Sequence, residues 1–392
     1  MTPSFFNSMD LKDIEEKVLA STYKRQPIAL IKGKGAIVWD SEGKEYIDCF
    51  SGIAVLNVGH SNPKVVKAVK DQASKMMHSS NIYHIIPQIN LARLLYSVTG
   101  GYKSFFCNSG AEANEAAIKL VRKYTGKSKI ITAKNSFHGR TIATLSATGQ
   151  ERYRKDFQPL GDEFTHVKFG DIQDLEQAIT NETAAVLLEP IQGEGGVIVP
   201  PPNYFQKVRE ICNKHNILLV LDEVQTGLGR TGELFAWQLY NIKPDIFTLA
   251  KSLGGGFPIG AMLAKKSVMD AFKPGDHAST FGGNHLACVA AKATLEVILE
   301  KNLHKKARIL GEDLLKNLLK LMNNHKVIKE VRGQGLMVGI ELKKDGSYVV
   351  DAARERGVLL NCTSENVVRI LPPLVVTKSQ LRKVINIIDQ IL

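Results

Sequence analysis

Two short apolar runs, each followed by a charged side chain, constrain this sequence more than any other feature. Residues 217–221 precede Asp222, and residues 246–250 precede Lys251. The length and composition of these runs predict strands that are buried on both faces of a parallel sheet. Ligands bind at the carboxyl ends of the strands in open α/β sheets, so we expect the acid and the amine to face one crevice.

Lys251 and Asp222 together suit one kind of chemistry. A lysine among apolar residues is desolvated, which favours its neutral, nucleophilic form and Schiff-base formation with an aldehyde. A carboxylate at the neighbouring strand end is placed to keep a pyridine nitrogen protonated. Pyridoxal phosphate (PLP) requires both groups. Residues 252–256 (SLGGG) are not expected to continue a regular element, and they leave space beside the amine. Taken alone, Lys251 would more often be a solvated loop lysine and Asp222 a helix cap. The apolar run directly before each residue favours the cofactor site instead.

A longer stretch around these residues resembles the signature of a known family. The segments LDEVQTGLGRTG and PDIFTLAKSLGGGFPIGA are similar to those of the class III, fold-type I PLP-dependent aminotransferases. The resemblance extends along nearly the whole chain. It implies that Asp222 pairs with the pyridine nitrogen, Gln225 hydrogen-bonds the ring hydroxyl region, and Lys251 carries the cofactor.

The predicted elements and the resemblance agree on an α/β fold of the fold-type I class. Residues 61–283 are expected to form a large domain whose mostly parallel sheet carries PLP. Residues 1–60 and 284–392 are expected to form a small α+β domain from both chain ends. Hydrophobic patterns further predict an amphipathic helix at 10–20, an antiparallel meander at 27–39 and a final helix at 379–392.

Composition excludes other classes of protein. The net charge of +12 invites a nucleic-acid interpretation, but the lysines are scattered and no arginine-rich arm occurs. We therefore interpret the charge as a solvated surface that also attracts anionic substrates. No apolar stretch reaches the roughly 20 residues of a membrane span, and the N-terminus lacks a secretory signal. The five cysteines lack CxxC spacing, so we expect a cytoplasmic protein, and no histidine spacing suggests a metal site.

A phosphate site is predicted where an apolar run meets an alanine-rich helix. Ser109 is a suitable N-cap, with Glu112 three residues later. Gly110 and Ala111 leave their backbone N–H groups unobstructed at a helix start, which attracts phosphate. A plain capping box would explain the same pattern. The resemblance assigns these positions to the phosphate cup.

The segment SFHGRT at residues 136–141 resembles a second motif of the family. It implies that Phe137 stacks on the cofactor ring and that His138 belongs to the cofactor site. It also implies that Arg140 binds a substrate carboxylate, since a guanidinium offers a planar two-point match.

The segment EPIQGE, which ends at Glu194, and the segment around Arg369 form a predicted pair. The resemblance implies that these two side chains act as a switch. With Glu194 engaged, Arg369 is neutralised and an amine-bearing substrate is accepted. With the pair broken, Arg369 binds the carboxylate of a keto acid.

Four further positions follow from the resemblance. Ser279 and Thr280 match a loop whose threonine reaches the phosphate of the neighbouring subunit's cofactor, which implies a homodimer with active sites at the subunit interface. Tyr23 matches a tyrosine near the substrate. Ile53 stands where ornithine δ-aminotransferases have a tyrosine that contacts the free α-amine, so an apolar residue suits a substrate whose α-amine is blocked.

The resemblance implies a ping-pong transamination of small amino and keto acids. The motifs are most similar to those of enzymes that convert N2-acetyl-L-ornithine and 2-oxoglutarate into N-acetylglutamate 5-semialdehyde and glutamate, in arginine biosynthesis. Such enzymes often also accept N-succinyl-LL-diaminopimelate from lysine biosynthesis. Three alternatives stay open: an ornithine or 4-aminobutyrate aminotransferase with the same catalytic residues, a PLP aminomutase, and a basic nucleic-acid-binding protein.

Overall fold

The computed structural model describes residues 8–392 of the chain. The strands in chain order are β1 (Leu30–Lys34), β2 (Ile37–Asp40), β3 (Glu45–Asp48), β4 (Tyr102–Cys107), β5 (Lys129–Ala133), β6 (Phe164–Val167), β7 (Thr183–Leu188), β8 (Leu218–Asp222), β9 (Ile246–Leu249), β10 (Gly260–Lys265), β11 (Ile328–Gln334), β12 (Met337–Leu342), β13 (Val358–Leu359), β14 (Asn361–Thr363) and β15 (Val367–Ile370).

The helices are mostly amphipathic and cover the sheets. They span Ser8–Val18, Pro63–Ala73, Ile86–Thr99, Gly110–Thr125, Ile142–Ala147, Glu151–Arg154, Ile172–Gln177, Tyr204–Lys214, Lys266–Met269, His285–Glu300, Leu303–Asn324, Ser347–Glu355 and Lys378–Ile391. None of those between residues 8 and 392 is long and apolar enough to cross a bilayer.

A seven-stranded sheet forms the centre of the molecule, in the order β4-β10-β9-β8-β7-β5-β6. Neighbouring strands from β9 to β6 pair in parallel, whereas β10 is antiparallel to both β4 and β9. Every residue of β7, β8 and β9 is buried, because helices cover both faces. The two apolar runs are therefore adjacent parallel strands, as predicted.

Two smaller four-stranded sheets contain the remaining strands. One has the order β1-β2-β3-β13, and the other has the order β11-β12-β15-β14. Strand β13 pairs in parallel with β3, so the two ends of the chain share a sheet. The first meander strand begins at Leu30 rather than near residue 27, because residues 27–29 precede the pairing with β2. The domain boundaries at 61 and 283 stay a prediction.

A left-handed turn follows β3 directly. Ser51, Gly52, Ile53 and Ala54 all have positive φ angles, between 46° and 64°. This conformation costs roughly 1–2 kcal/mol for each residue that is not glycine. The carboxylate of Asp48 stabilises the turn by accepting the N–H groups of the two residues that enter it.

Candidate active site

Asp222 and Lys251 line one cavity of about 440 Å³ at the carboxyl ends of β8 and β9. Asp222 is the last residue of β8, and its register partner on β9 is Thr248. Lys251 follows that strand after one further residue. Parallel pairing thus places the carboxylate and the amine in the same crevice.

The carboxylate of Asp222 is buried and held by three contacts. Its Oδ2 accepts a hydrogen bond from Asn114 Nδ2 at 2.8 Å and lies 2.9 Å from His138 Nδ1. Its Oδ1 accepts the N–H of Val224 at 3.0 Å. Asn114 in turn accepts the hydroxyl of Thr248 at 2.8 Å, so the network reaches across to β9. These contacts fix the orientation of one acid at the base of the cavity.

The environment of Lys251 favours a neutral amine. Burial lowers the pKa of its ammonium group, while the negative charge of Glu194 opposes that shift. The residue is held in the left-handed region, with a φ of 45°, which is unfavourable for a side chain other than glycine. A strained backbone therefore presents a nucleophile to the cavity.

The segment after the amine is more regular than predicted. Lys251–Gly254 forms one turn of 3₁₀ helix, and Gly255 ends it with a φ of 57°. Strand β9 ends at Leu249, so residues 252–256 do not continue it, as expected, although part of the run belongs to this short turn. Ser252 and Leu253 are buried within the turn, and of the three glycines only Gly256 lines the cavity.

The start of the Gly110–Thr125 helix forms another wall. Ser109 caps it by accepting the N–H of Glu112 at 3.2 Å. The N–H groups of Gly110 and Ala111 have no acceptor within their own helix, as is general at a helix start. A Cβ at Gly110 would lie 2.9 Å from the side chain of Val224, so only glycine fits this contact. This wall suits a phosphate group.

The opposite side of the cavity carries an aromatic ring and a guanidinium. Phe137 packs edge-to-face against Tyr153, with ring centroids 5.8 Å apart. The guanidinium of Arg140 lies over the same tyrosine ring at 4.1 Å and is solvent-exposed. Tyr153 thus supports both side chains, one apolar and one able to bind a carboxylate.

Glu194, Gln225 and Arg369 form a polar cluster beside the amine. Arg369 Nη1 donates to Glu194 Oε1 at 2.7 Å and to Gln225 Oε1 at 3.2 Å. Gln225 Nε2 donates to Glu194 Oε1 at 3.2 Å. Arg369 Nη2 is buried and has no hydrogen-bond partner within residues 8–392, so the guanidinium keeps an unused donor.

The whole chain resembles known proteins of one family. The family model described as "Aminotransferase class-III" matches residues 18–392. The chain is a class III aminotransferase. Aminotransferases of this class use PLP, so the predicted family and cofactor are both confirmed.

Curated class III relatives match this aminotransferase over nearly their whole length. The acetylornithine aminotransferase of Methanothermobacter thermautotrophicus is 51% identical over 98% of this chain and 99% of its own. That of Methanocaldococcus jannaschii is 49% identical over 97% of each chain.

Solved structures confirm the fold-type I prediction. The ornithine aminotransferase of Toxoplasma gondii superimposes with a TM-score of 0.96 at 35% identity, over 99% of this chain and 95% of its own. The acetylornithine aminotransferase of Elizabethkingia anophelis gives a TM-score of 0.89 at 36% identity, over 98% and 99%.

The cavity of this aminotransferase fits PLP in its chemistry. Free N–H groups at the start of a helix suit the phosphate, and the fixed carboxylate of Asp222 suits a ring nitrogen. His138 Nε2 is buried without a partner among the described residues. No group of three or more His, Cys, Asp or Glu side chains between residues 8 and 392 is arranged to hold a metal ion.

Arg369 reaches this cavity only through its contacts with Glu194 and Gln225, and three further predicted residues do not line it within the single chain. Tyr23 is 74% exposed, and Thr280 is exposed on the loop that begins at Ser279. Ser279 Oγ instead accepts from Asn108 Nδ2 at 3.2 Å, and Asn108 does line the cavity. The roles of these three residues stay predictions. Ile53 does not line the cavity either, and Val55 is the apolar residue from that segment that does.

Sequence reasoning missed Glu189 and Asn114. The carboxylate of Glu189 accepts the N–H of Phe137 at 3.0 Å and that of Gly193 at 3.1 Å. Burial raises the pKa of Glu189 to about 7. The position of Glu189 in the sequence was a usable signal. Glu189 directly follows the apolar strand β7, just as Asp222 ends β8 and Lys251 comes soon after β9. Asn114 offered no signal, since it lies within an ordinary alanine-rich helix.

Proposed function

We propose that the protein transaminates N2-acetyl-L-ornithine with 2-oxoglutarate, yielding N-acetylglutamate 5-semialdehyde and glutamate for arginine biosynthesis. The observation that carries the proposal is the meeting of Lys251, Asp222 and Glu194 at one cavity, with Arg369 bonded to Glu194. The relatives named acetylornithine aminotransferase support the substrate. N-succinyl-LL-diaminopimelate is a second expected amine.

The residues that would hold PLP lie on three walls. We assign its phosphate to Ser109, Gly110 and Ala111, where backbone donors and the helix dipole favour an anion. We assign the ring to Phe137, Asp222, Gln225 and Lys251, with His138 and Asn114 orienting the aspartate. Thr280 would complete the phosphate site of the partner. When bound, PLP supplies an aldehyde for amino groups and an electron-withdrawing ring.

Lys251 would act as the base and acid of the reaction. Its lowered pKa increases the neutral fraction, so Nζ can accept the proton from the substrate carbon and later return it. Asp222 would hold a proton at the ring nitrogen, because Asn114, His138 and the N–H of Val224 fix its carboxylate in place.

The substrate carboxylates would be recognised by arginines. Arg140 is free to bind one carboxylate at the exposed rim, where Tyr153 supports its guanidinium. Arg369 would be neutralised by Glu194 while an amine substrate is bound, and it would bind a carboxylate of the keto acid when that pair opens. One site thereby accepts two substrates of different charge.

We also propose a homodimer with active sites at the subunit interface. Ile82, Tyr83 and Ile86 are 70% or more exposed, and Phe281 is 60% exposed. The two segments lie together because Asn81 Nδ2 donates to carbonyls at both ends of the 279–282 loop. An apolar surface of this kind favours association, and Ser279 and Thr280 lie beside it. Cytoplasmic localisation stays a prediction from the cysteine spacing.

Ornithine transamination is the second candidate. It is favoured by the TM-score of 0.96 to the Toxoplasma gondii ornithine aminotransferase. The deciding experiment compares kcat/KM for N-acetylornithine, N-succinyl-LL-diaminopimelate and ornithine at saturating 2-oxoglutarate. The proposal predicts that the acylated amines are preferred, and a preference for ornithine would overturn it.

A further inference from the structure

Arg230 is fully buried, yet all its hydrogen-bond partners are neutral. Its Nη1 donates to the carbonyls of Leu336 at 2.9 Å and Pro372 at 2.6 Å, and its Nη2 donates to Asn57 Oδ1. Burial lowers the pKa of the guanidinium to about 9, so the group stays charged at neutral pH. Burying a cation without a paired carboxylate is costly, and an apolar residue of similar volume often serves stability equally well.

Two of these partners stand at the same end of a strand pair. Leu336 directly precedes β12, and Pro372 lies two residues beyond β15. The two strands are antiparallel, with Val338 opposite Ile370. The N–H of Leu336 also donates back to the carbonyl of Arg230 at 3.0 Å. Arg230 therefore fixes both strands at one point.

That strand pair carries Arg369. Its register partner on β12 is Gly339, and its guanidinium reaches Gln225 and Glu194. Gln225 and Arg230 belong to the same loop, which leaves β8 at Asp222. Arg230 thus joins the loop of the cofactor site to the strands that present Arg369.

Asn57 connects a third segment to the same point. Its Nδ2 donates to the carbonyl of Leu228 at 2.9 Å, and its own carbonyl accepts the N–H of Leu374 at 2.9 Å. Val55, two residues earlier, lines the cavity. The guanidinium of Arg230 therefore donates to three segments, one of which carries Val55 and another Arg369.

We propose that Arg230 is a positioning residue that sets the place of Arg369 relative to Lys251, and thereby governs binding of the keto-acid carboxylate. The inference rests on the proposed function of Arg369. It does not require Arg230 to touch any substrate, since every donor contact described above is internal.

A double-mutant cycle tests this role. Arg230→Met removes the donors at similar volume, and Arg230→Lys keeps the charge but loses the multiple contacts. We expect either variant to raise the KM for 2-oxoglutarate by about tenfold or more, because a charge-assisted contact is misplaced. The dissociation constant of 2-oxoglutarate for the cofactor-free protein should rise in parallel, while kcat and the amount of bound PLP change by less than about threefold.

In an Arg369→Ala background, the same Arg230 substitutions should alter the KM for 2-oxoglutarate by less than about twofold, because their effect acts through Arg369.

Arg308→Met is the matched control. Arg308 Nη2 donates to the carbonyl of Gly232 at 3.2 Å in the same loop, but the residue is partly exposed on the Leu303–Asn324 helix. It should leave the KM unchanged. The positioning role would be overturned if Arg230→Met or Arg230→Lys raised the KM equally in the parent and in the Arg369→Ala background. It would also be overturned if these variants lost thermal stability but kept the parent's KM. If Arg369→Ala alone leaves the KM unchanged, the proposed carboxylate site fails and this inference fails with it.

Discussion

Arg369 donates a 2.7 Å hydrogen bond to Glu194, although 175 positions of sequence separate the two residues. Arg369 is completely buried, whereas the Glu194 side chain is 19% exposed to the cavity. Burial by itself would raise the pKa of Glu194, but the adjacent guanidinium of Arg369 is the main influence that lowers it to about 2. Glu194 is therefore ionised at neutral pH while it is paired with Arg369.

Replacing Glu194 by Ala should favour the reaction with 2-oxoglutarate and disfavour the reaction with N-acetylornithine. Arg369 loses its counter-ion, so we expect the KM for 2-oxoglutarate to fall and kcat/KM for N-acetylornithine to fall by about tenfold. Half-reaction kinetics with each substrate measure this difference. Glu182→Ala, in an exposed turn, is the control. An equal change in kcat/KM for both half-reactions would contradict the proposed switch between the Glu194–Arg369 pair and keto-acid binding.

Gly110→Ala should weaken PLP binding for a steric reason. The new Cβ would lie 2.9 and 3.0 Å from the two methyl groups of Val224. We expect the Kd for PLP to rise by about tenfold, because overpacking displaces the helix start. Adding Val224→Ala should recover most of the affinity, as measured by titrating the cofactor-free protein with PLP. A double variant that binds as weakly as Gly110→Ala would disprove this packing argument, and Val224→Ala alone is the control.

Glu223 should make the stability of the protein depend on pH. Burial raises its pKa from 4.5 to about 7, although its carboxylate accepts two backbone N–H groups at 2.8 Å. The folded state then binds more protons than the unfolded state between these values. The free energy of unfolding contributed by this group therefore falls as the pH rises from 4.5 to 7, by up to about 1.4 kcal/mol per pH unit.

Urea unfolding of the parent and of Glu223→Gln measures this contribution. The parent should lose stability relative to the variant as the pH rises through that window, and the difference should level off above it. Glu210→Gln, on an exposed position of the Tyr204–Lys214 helix, should show no such trend. A parent-to-variant difference that does not vary with pH would refute the raised pKa.

Ile82→Asp should disrupt the proposed dimer. The side chain is 86% exposed beside Phe281, and a buried carboxylate at an interface is strongly unfavourable. We expect light scattering to show monomers and the specific activity to fall. Ile309→Asp is the matched control, because that side chain is 66% exposed on the Leu303–Asn324 helix. Dimers with full activity in the Ile82 variant would argue against this interface.

The sequence predicted those parts of the site that local patterns determine. Residues 217–221 and 246–250 are short and apolar, so their burial as adjacent parallel strands follows from composition, and Asp222 and Lys251 follow from the strand ends. Ser109 caps its helix as predicted, because a capping hydroxyl acts on a residue three positions away.

Contacts between distant segments were harder to predict. Asn114 and Glu189 act through neighbours that are 108 and 52 positions away, and no local pattern specifies those distances. The left-handed turn at residues 51–54 contains a single glycine, so its backbone was not foreseeable from residue preferences. Tyr23 and Thr280 lie away from the cavity of their own chain, and their expected roles depend on a partner subunit rather than on local sequence.

Reductive labelling identifies the residue to which PLP is attached. The holoenzyme is reduced with borohydride and digested, and the peptides are analysed by mass spectrometry. The account predicts a pyridoxyl group on Lys251 alone, and none in a Lys251→Ala variant. A pyridoxyl group on a different lysine, with Lys251 unmodified in an active enzyme, would contradict it.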